Sequence, residues 1–412
     1  MLTRRRFLAA TGVAALGFGA WRLWPDQGFW NDCASVELPP KLAQHPLMER
    51  IWQGIDSTQL WDCHVHLLGR GDPGSGAWIN PRMDSLWYPL ERMRKTFYLN
   101  AACVQDESGM DAAYLQRLLM QHQAFPAGSK LMLLAFDWYH DTNGRRVQEL
   151  SPFYTPNEYA QRVARAHPQH FEWIASVHPY REDAVPALEA AVRDGARALK
   201  WLPAAQGMDP ADARCDRFYE TLARLKLPLL THAGQELAVN SQQLQDYGNP
   251  LRLRRALDRG VRVIVAHCAS LGDGVDLDRG PGGPIVSNFE LFARLMDEIR
   301  YDKLLYGDLA AIGQRLRAGD TLRKLLMRHD WHPRLKYGSD YPLPGVMPIF
   351  SPRELMQDGF LKEEEAQFVS ALRRYNPLLF DFALKRLLAV EGNGFDSAAF
   401  ASRRFFASDA KT

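Results

Sequence analysis

Cysteine is sparse and shows no pairing pattern. The 412 residues hold five, Cys33, Cys63, Cys103, Cys215 and Cys268. The number is odd, the spacing wide and no CxxC occurs, so neither a disulfide framework nor a thiolate zinc site is expected. Cys63 and Cys268 each adjoin a histidine used below and read as small buried hydrophobes on the outer face of strands. Beyond the first two dozen residues no apolar run is long enough to cross a membrane. A block of like charge is also missing. The formal net charge is +2, and the first 24 residues contain Arg4, Arg5, Arg6 and Arg22 without an acid, which leaves the remainder at −2. A near-neutral body with no basic cluster among aromatics excludes nucleic acid as an expected partner. There is no internal repeat and no low-complexity tract, and glycine and proline stay near average usage, which excludes fibre and disorder.

What is present is ordinary globular material with 46% hydrophobic residues, enough for a large core. The N-terminus has its own layout. Thr3-Arg4-Arg5-Arg6-Phe7-Leu8 precedes a weakly apolar stretch, Ala9 to Ala20. A basic start followed by a short apolar run is the order of an export signal. Paired arginines before Phe-Leu resemble the twin-arginine type, which implies a periplasmic or exported protein. No clean A-x-A site follows, and Trp21 and Trp24 suit a membrane interface, so residues 1–24 are read as a signal or a retained anchor. Membrane contact is expected through this segment only.

Residues 25–55 read as a linker and lead-in, 56–390 as the main domain and 391–412 as a tail folding back through Phe395, Phe400, Phe405 and Phe406. Eight short apolar runs alternate with helical patterns: Gln59–His66, Lys130–Asp137, Glu172–His178, Ala196–Leu202, Pro228–Ala233, Arg262–Cys268, Leu304–Asp308 and Leu335–Asp340. Ala184–Arg193 and Phe289–Ile299 show helical spacing. A further run, Phe97–Val104, continues an i, i+3, i+4 pattern from Leu90 and Met93 and is read as helix. Alternating βα units predict an α/β fold with a parallel sheet, and eight of them a (β/α)8 TIM barrel with long βα loops and a C-terminal closing helix. The loops Gly69–Pro81 and Leu271–Pro284 follow predicted strands and belong at the active face.

The strand ends carry the chemistry. The first ends Asp62-Cys63-His64-Val65-His66, and period-two alternation puts Asp62, His64 and His66 on one face. Lys200 ends the fourth, an expensive residue in an apolar strand. His232 ends the fifth, His267 the sixth and Asp340 the eighth. Any one alone could be a core histidine, a snorkelling lysine or a helix cap. Together they put imidazoles and a carboxylate on one barrel rim, a donor set that suits zinc and similar divalent ions. Asp137, His178, Glu236 and Asp308 lie near the same rim as candidates for supporting or substrate contacts. The acidic loop with Asp273, Asp276 and Asp278 does not match a calcium loop and reads as solvated.

The ordered set, with the local wording D-x-H-x-H, T-H-A-G, A-H-C and G-S-D-Y-P, resembles the amidohydrolase superfamily, amidohydrolase-2 branch, from about Asp62 to Asp340. The resemblance implies His64, His66 and Asp340 as ligands of a first metal, with Asp340 and His267 catalytic. Lys200, His232 and His267 match the positions that hold a second metal in binuclear members. In mononuclear members His232 joins the first metal. One or two ions, zinc first among them, are expected. A carboxylated Lys200 would bridge two ions; a neutral Lys200 leaves one. The implied function is a metal-dependent hydrolase of an ester, amide, lactone or related bond of a small molecule. A decarboxylase or hydratase of the same branch is the alternative. The lack of an arginine at any predicted strand end favours hydrolysis. Trp78, Trp138, Tyr139, Trp201 and Tyr341 suggest an aromatic-lined pocket. A small-molecule substrate is the expected partner, and a homo-oligomer is left open.

Overall fold

The structure, a computed structural model, describes residues 25–104, 108–241 and 243–407. The twin-arginine segment, residues 1–24, lies outside the described residues. Each of the eight expected runs overlaps a strand: β1 Trp61–His66, β2 Lys130–Leu134, β3 Phe171–Ile174, β4 Leu199–Trp201, β5 Leu229–His232, β6 Val263–Ala266, β7 Leu305–Asp308 and β8 Leu335–Lys336. Strands β1 to β3 pair in order, as do β4 to β8, all parallel. Two seams join these groups into a ring. Ala175 bridges Leu199 between β3 and β4, and Val65 bridges Tyr341 between β8 and β1. The Cys63 N–H donates to Tyr337 O at 3.0 Å across the second seam. The result is a closed parallel barrel with the sequential strand order of a TIM fold.

Alternation along the strands separates two cores. Cys63, Met132, Leu134, Ile174, Ala198, Leu230 and Ile264 form the packed barrel interior. Their neighbours Leu131, Leu133, Leu199, Leu229, Val263 and Val265 face outward into the larger core shared with the helices. Strand burial on both faces explains why these runs read as continuous apolar stretches. Cys268 joins the outer core, but Cys63 does not, which corrects the expectation for that residue.

The helices that matter for the site are α1 Pro89–Ala101 and α2 Met110–His122, both between β1 and β2. Helix α1 covers most of the run read as helix at Phe97–Val104. The other expected helices are Ala184–Arg193 and Asn288–Met296. The lead-in forms two short helices, Pro40–Ala43 and Pro46–Trp52, whose Leu42, Leu47 and Ile51 enter the outer core. The tail returns beneath the barrel. Phe395 and Phe400 join the outer core, and Phe405 and Phe406 close the interior cluster beside Trp61. Arg262 lies over the Phe405 ring at 4.8 Å.

One bond contradicts the reading of the cysteines. Cys33 and Cys103 form a disulfide with Cα atoms 5.5 Å apart. Seventy residues of sequence separate the partners, so spacing gave no sign of it. The lead-in brings them together by packing against the end of α1, where the Asn31 N–H donates to Asn100 Oδ1 at 2.8 Å.

Candidate metal centre

Strand β1 does not alternate regularly. Its register with β2 shifts between Asp62 and Val65. Asp62 Oδ1 accepts the N–H of His64 at 3.0 Å and that of Ser339 at 2.9 Å, which ties this bulge to the end of β8. Cys63 therefore points into the barrel interior, and His64 and His66 are turned to the cavity above it. Asp62 does not share their face, because a bulge breaks the period of two.

His64 Nε2 lies 3.5 Å and His66 Nε2 3.2 Å from the same oxygen, Asp340 Oδ1. These three residues can offer donor atoms all within 4.8 Å of one another. His267 Nε2 approaches the other Asp340 oxygen at 3.7 Å, and its ring lies 5.1 Å from that of His64. Asp340 and His267 both adopt left-handed backbone, φ 62° and φ 56°. Non-glycine residues in that region are uncommon and gather at functional sites. Lys200 is buried, with Nζ 2.9 Å from His64 Nε2. His232 lies outside the tight group, with Nε2 3.3 Å from Glu236 Oε2.

Asp308 organises this cluster from below. Its Oδ2 sits 2.8 Å from His64 Nδ1, and its Oδ1 accepts the N–H of His267 at 2.7 Å and of Ala310 at 3.1 Å. His267 Nδ1 lies 2.9 Å from Ala310 O. With protons on these Nδ1 atoms, both Nε2 lone pairs face Asp340, the tautomer a metal-binding imidazole needs. Burial holds His64 below its ordinary value, with Lys200 adding to the effect, and pushes His267 down to about 3. Burial also lowers Lys200, so its ammonium form is disfavoured. Burial works against ionisation of Asp308, but His64 and His267 outweigh it and hold the carboxyl down to about 2. Neutral imidazoles beside carboxylates fit a divalent cation, and the three-residue set leaves coordination positions for water or substrate.

A cavity of about 1000 Å³ opens over the cluster. Its floor carries His64, His66, Lys200, His232, His267 and Asp340; its walls are largely aliphatic and aromatic. Helix α1 supplies one wall, including Phe97 and Tyr98, and the Tyr98 hydroxyl donates to Ala238 O at 2.6 Å across the cavity edge. Glu236 lines the cavity, and burial raises its carboxyl against the N–H groups of Val239 and Ala238.

Several expected residues are elsewhere. Asp137 and His178 do not line the cavity. Strands β2 and β3 end before them, and Asp137 is spent on the N–H of His178 at 2.8 Å and on Arg181 Nη1 at 2.9 Å. Trp78, Trp138, Tyr139, Trp201 and Tyr341 are also absent from the cavity lining. Trp138 stacks on Tyr154 with Trp78 tilted against it, Trp201 packs on Phe218, and Tyr341 accepts from Gln121 Nε2 at 3.1 Å. The loop acids Asp276 and Asp278 pair with Arg294.

The largest omission is Arg317. It is 7% exposed and lines the cavity, with Nη1 donating to Ser270 Oγ at 3.2 Å. It lies in the loop after β7, in the wording Gln-Arg-Leu-Arg, where an arginine looks solvated; only its place after a strand end pointed inward. An arginine at the site therefore exists, although no strand ends in one.

A family model described as amidohydrolase matches residues 61–367. No curated protein matches the sequence. Among solved structures, a TIM-barrel protein from Bordetella bronchiseptica is 16% identical, over 76% of this chain and 99% of its own, at TM-score 0.45. The 4-oxalomesaconate hydratase of Rhodopseudomonas palustris is 16% identical, over 79% and 98%, at 0.41. A dihydroxybenzoic acid decarboxylase from a Polaromonas species, with bound manganese, is 12% identical, over 79% and 96%, at 0.42.

Proposed function

The chain belongs to the amidohydrolase family, and from that premise we propose that it is a metal-dependent hydrolase of an ester, amide or lactone bond in a small, largely apolar molecule. The observation that carries this reading is the convergence of His64 Nε2, His66 Nε2 and Asp340 on the floor of an apolar cavity. One ion, zinc or manganese, would be held by these three. Bound there, it supplies Lewis acidity, which makes water more acidic and a carbonyl more electrophilic. Asp340 and His267, 3.7 Å apart, supply the two proton-handling groups that hydrolysis needs: one takes a proton from water, the other returns one to the leaving group. The apolar walls exclude bulk water and strengthen the field of the polar floor. Lys200 Nζ, 2.9 Å from His64 Nε2, would give up that contact to the ion and remain on the cavity floor beside it.

Arg317 favours a second reading. A carboxylate on the substrate would pair with its guanidinium, as a decarboxylase requires. With Arg317 in the cavity, a missing arginine is no ground for preferring hydrolysis. Reaction in heavy-oxygen water separates the two readings, because hydrolysis places the label in the product acid, whereas decarboxylation releases carbon dioxide and leaves no label in the organic product. Chelator-treated protein should lose activity on a panel of such substrates and regain it with zinc or manganese. Full activity in rigorously metal-free protein overturns both readings. Metal content decides the ion count: two equivalents in the wild type, falling in Lys200→Ala, would replace the single-ion site with a carboxylated lysine bridge.

We further propose export by the twin-arginine route. Arg4-Arg5 before Phe7-Leu8 supports it, as does the Cys33–Cys103 bond, since disulfides persist in oxidising compartments. Changing Arg4 and Arg5 together to lysine should retain the protein in the cytoplasm; unchanged fractionation overturns the route.

A further inference from the structure

The mouth of the cavity is apolar on its outside as well as its inside. Leu86, Trp87, Tyr88, Leu90 and Met93 fall within one short run, residues 86–93, and are 41% to 90% exposed. The run leads into and begins α1, the helix that walls the cavity. Leu237 and Leu316, 43% and 70% exposed, come from the loops after β5 and β7 and line the same cavity. Water-facing side chains of this size are unremarkable singly, but gathered around an opening they mark a surface that meets something apolar.

Three further observations identify what that is. Basic residues flank the patch: Arg92 is exposed, Arg94 lines the cavity, and Arg82 stacks on Tyr88 at 5.2 Å. Tryptophan and tyrosine beside arginine, on an otherwise apolar rim, is the composition of a surface that sits at lipid headgroups. The described chain begins at Pro25, and Phe29 and Trp30, 40% and 52% exposed, extend the patch, with Trp30 stacked on Phe97 of α1 at 5.0 Å. The Cys33–Cys103 disulfide fixes this lead-in to the end of the same helix. In the sequence, the apolar stretch Ala9–Ala20 with Trp21 and Trp24 directly precedes this lead-in. Among the described residues no helix is long and apolar enough to cross a membrane, so contact here is at the surface.

We infer that the rim formed by residues 86–93, Leu237 and Leu316 docks on the surface of a lipid bilayer, with anionic headgroups on the flanking arginines. Membrane contact is then not confined to the N-terminal segment. An amphiphile dissolved in the bilayer would reach the cavity without crossing water; that consequence rests on the catalytic reading above, whereas the docking does not.

Hydrogen exchange of the full chain, free and with vesicles of phosphatidylethanolamine and phosphatidylglycerol, tests the docking without any substrate. Amides of residues 86–93 are expected to exchange about tenfold slower on vesicles, the scale of burying a few large apolar side chains part-way. The double variant Trp87→Asp, Leu90→Asp should lose that slowing. Ile299→Asp should keep it, since Ile299 is 86% exposed but precedes β7, at the opposite end of the barrel. Vesicle-bound protein in which residues 86–93 exchange at the free rate overturns the inference, because residues 1–24 would then do all the binding. So does a full chain that does not bind vesicles, or slowing that survives the charged variant. Slowing produced by raising protein concentration without vesicles also overturns it, in favour of a second copy of this chain.

Discussion

At the scale of single residues, the site depends on groups that never touch a substrate. Asp308 receives His64 Nδ1, and so sets which nitrogen of that imidazole carries the lone pair, and it holds the His267 backbone N–H. Asp308→Asn keeps the shape but offers one acceptor and one donor where two acceptors are needed. Metal affinity should fall about 10–100-fold, as for other supports of metal-binding histidines, with the fold retained. Isothermal titration with zinc checks this; an unchanged affinity would remove Asp308 from the centre. A different histidine governs acid stability. His122 of α2 is buried, 3.0 Å from His170 Nδ1 and 3.2 Å from Ser129 Oγ, and burial pushes it down to about 3 from 6.5. In the unfolded chain it takes up a proton near pH 6.5, and in the folded chain only near pH 3. Its contribution is thus full above pH 6.5 and lost as pH falls towards 3, about 2 kcal/mol of it by pH 5. His122→Gln should flatten the pH dependence of urea unfolding between pH 7 and 5 by about that amount. An identical slope in the variant would mean that His122 titrates normally.

At the scale of elements, the sequence was most legible where a strand is buried on both faces. Seven of the eight barrel strands lie within runs that apolar content and flanking Gly or Pro marked out, and β3 starts one residue before its run; most runs extend past the strands, as Leu335–Asp340 does past β8 Leu335–Lys336. That His64, His66, Lys200, His232, His267 and Asp340 meet on one cavity floor was legible for the same reason, since a strand end fixes where its side chains go. What could not be read depends on departures from periodicity or on long-range packing. The bulge in β1 turns Asp62 away. The loops after β2 and β3 curl Asp137 and His178 out of reach, and the loop after β7 brings Arg317 in. The tail lacked any pattern beyond spaced phenylalanines, yet Phe405 and Phe406 fill the end of the barrel interior opposite the cavity. Phe406→Ala should therefore cost about 3–5 kcal/mol, the range for a buried aromatic truncated in a core. The melting temperature should fall while activity at low temperature persists, because the cavity is at the other end. A loss below about 1 kcal/mol would show that the tail only rests against the barrel.

At the scale of the whole molecule, the disulfide links assembly to location. Cys33 is in the lead-in and Cys103 follows α1, so neither belongs to a barrel strand. The barrel can close before the bond forms, as the export in folded form proposed above would require. The bond then spans 70 residues of sequence and removes loop freedom from the unfolded chain. A loop of that size corresponds to about 4 kcal/mol on chain-entropy grounds, and measured bonds commonly deliver about 2–4. The lead-in outside the barrel can open locally, so the loss should show first there and only partly in global unfolding. Cys33→Ser is expected to lower stability by about 2–4 kcal/mol in denaturant titration. Limited proteolysis should cut first within residues 25–37, and reductant should reproduce both effects in the wild type. If reduced and oxidised protein unfold at the same denaturant concentration and are cut at the same sites, the bond does not hold the lead-in. The cavity mouth would then lose its fixed junction with the N-terminal segment, and the rim would have to find the membrane on its own side chains alone.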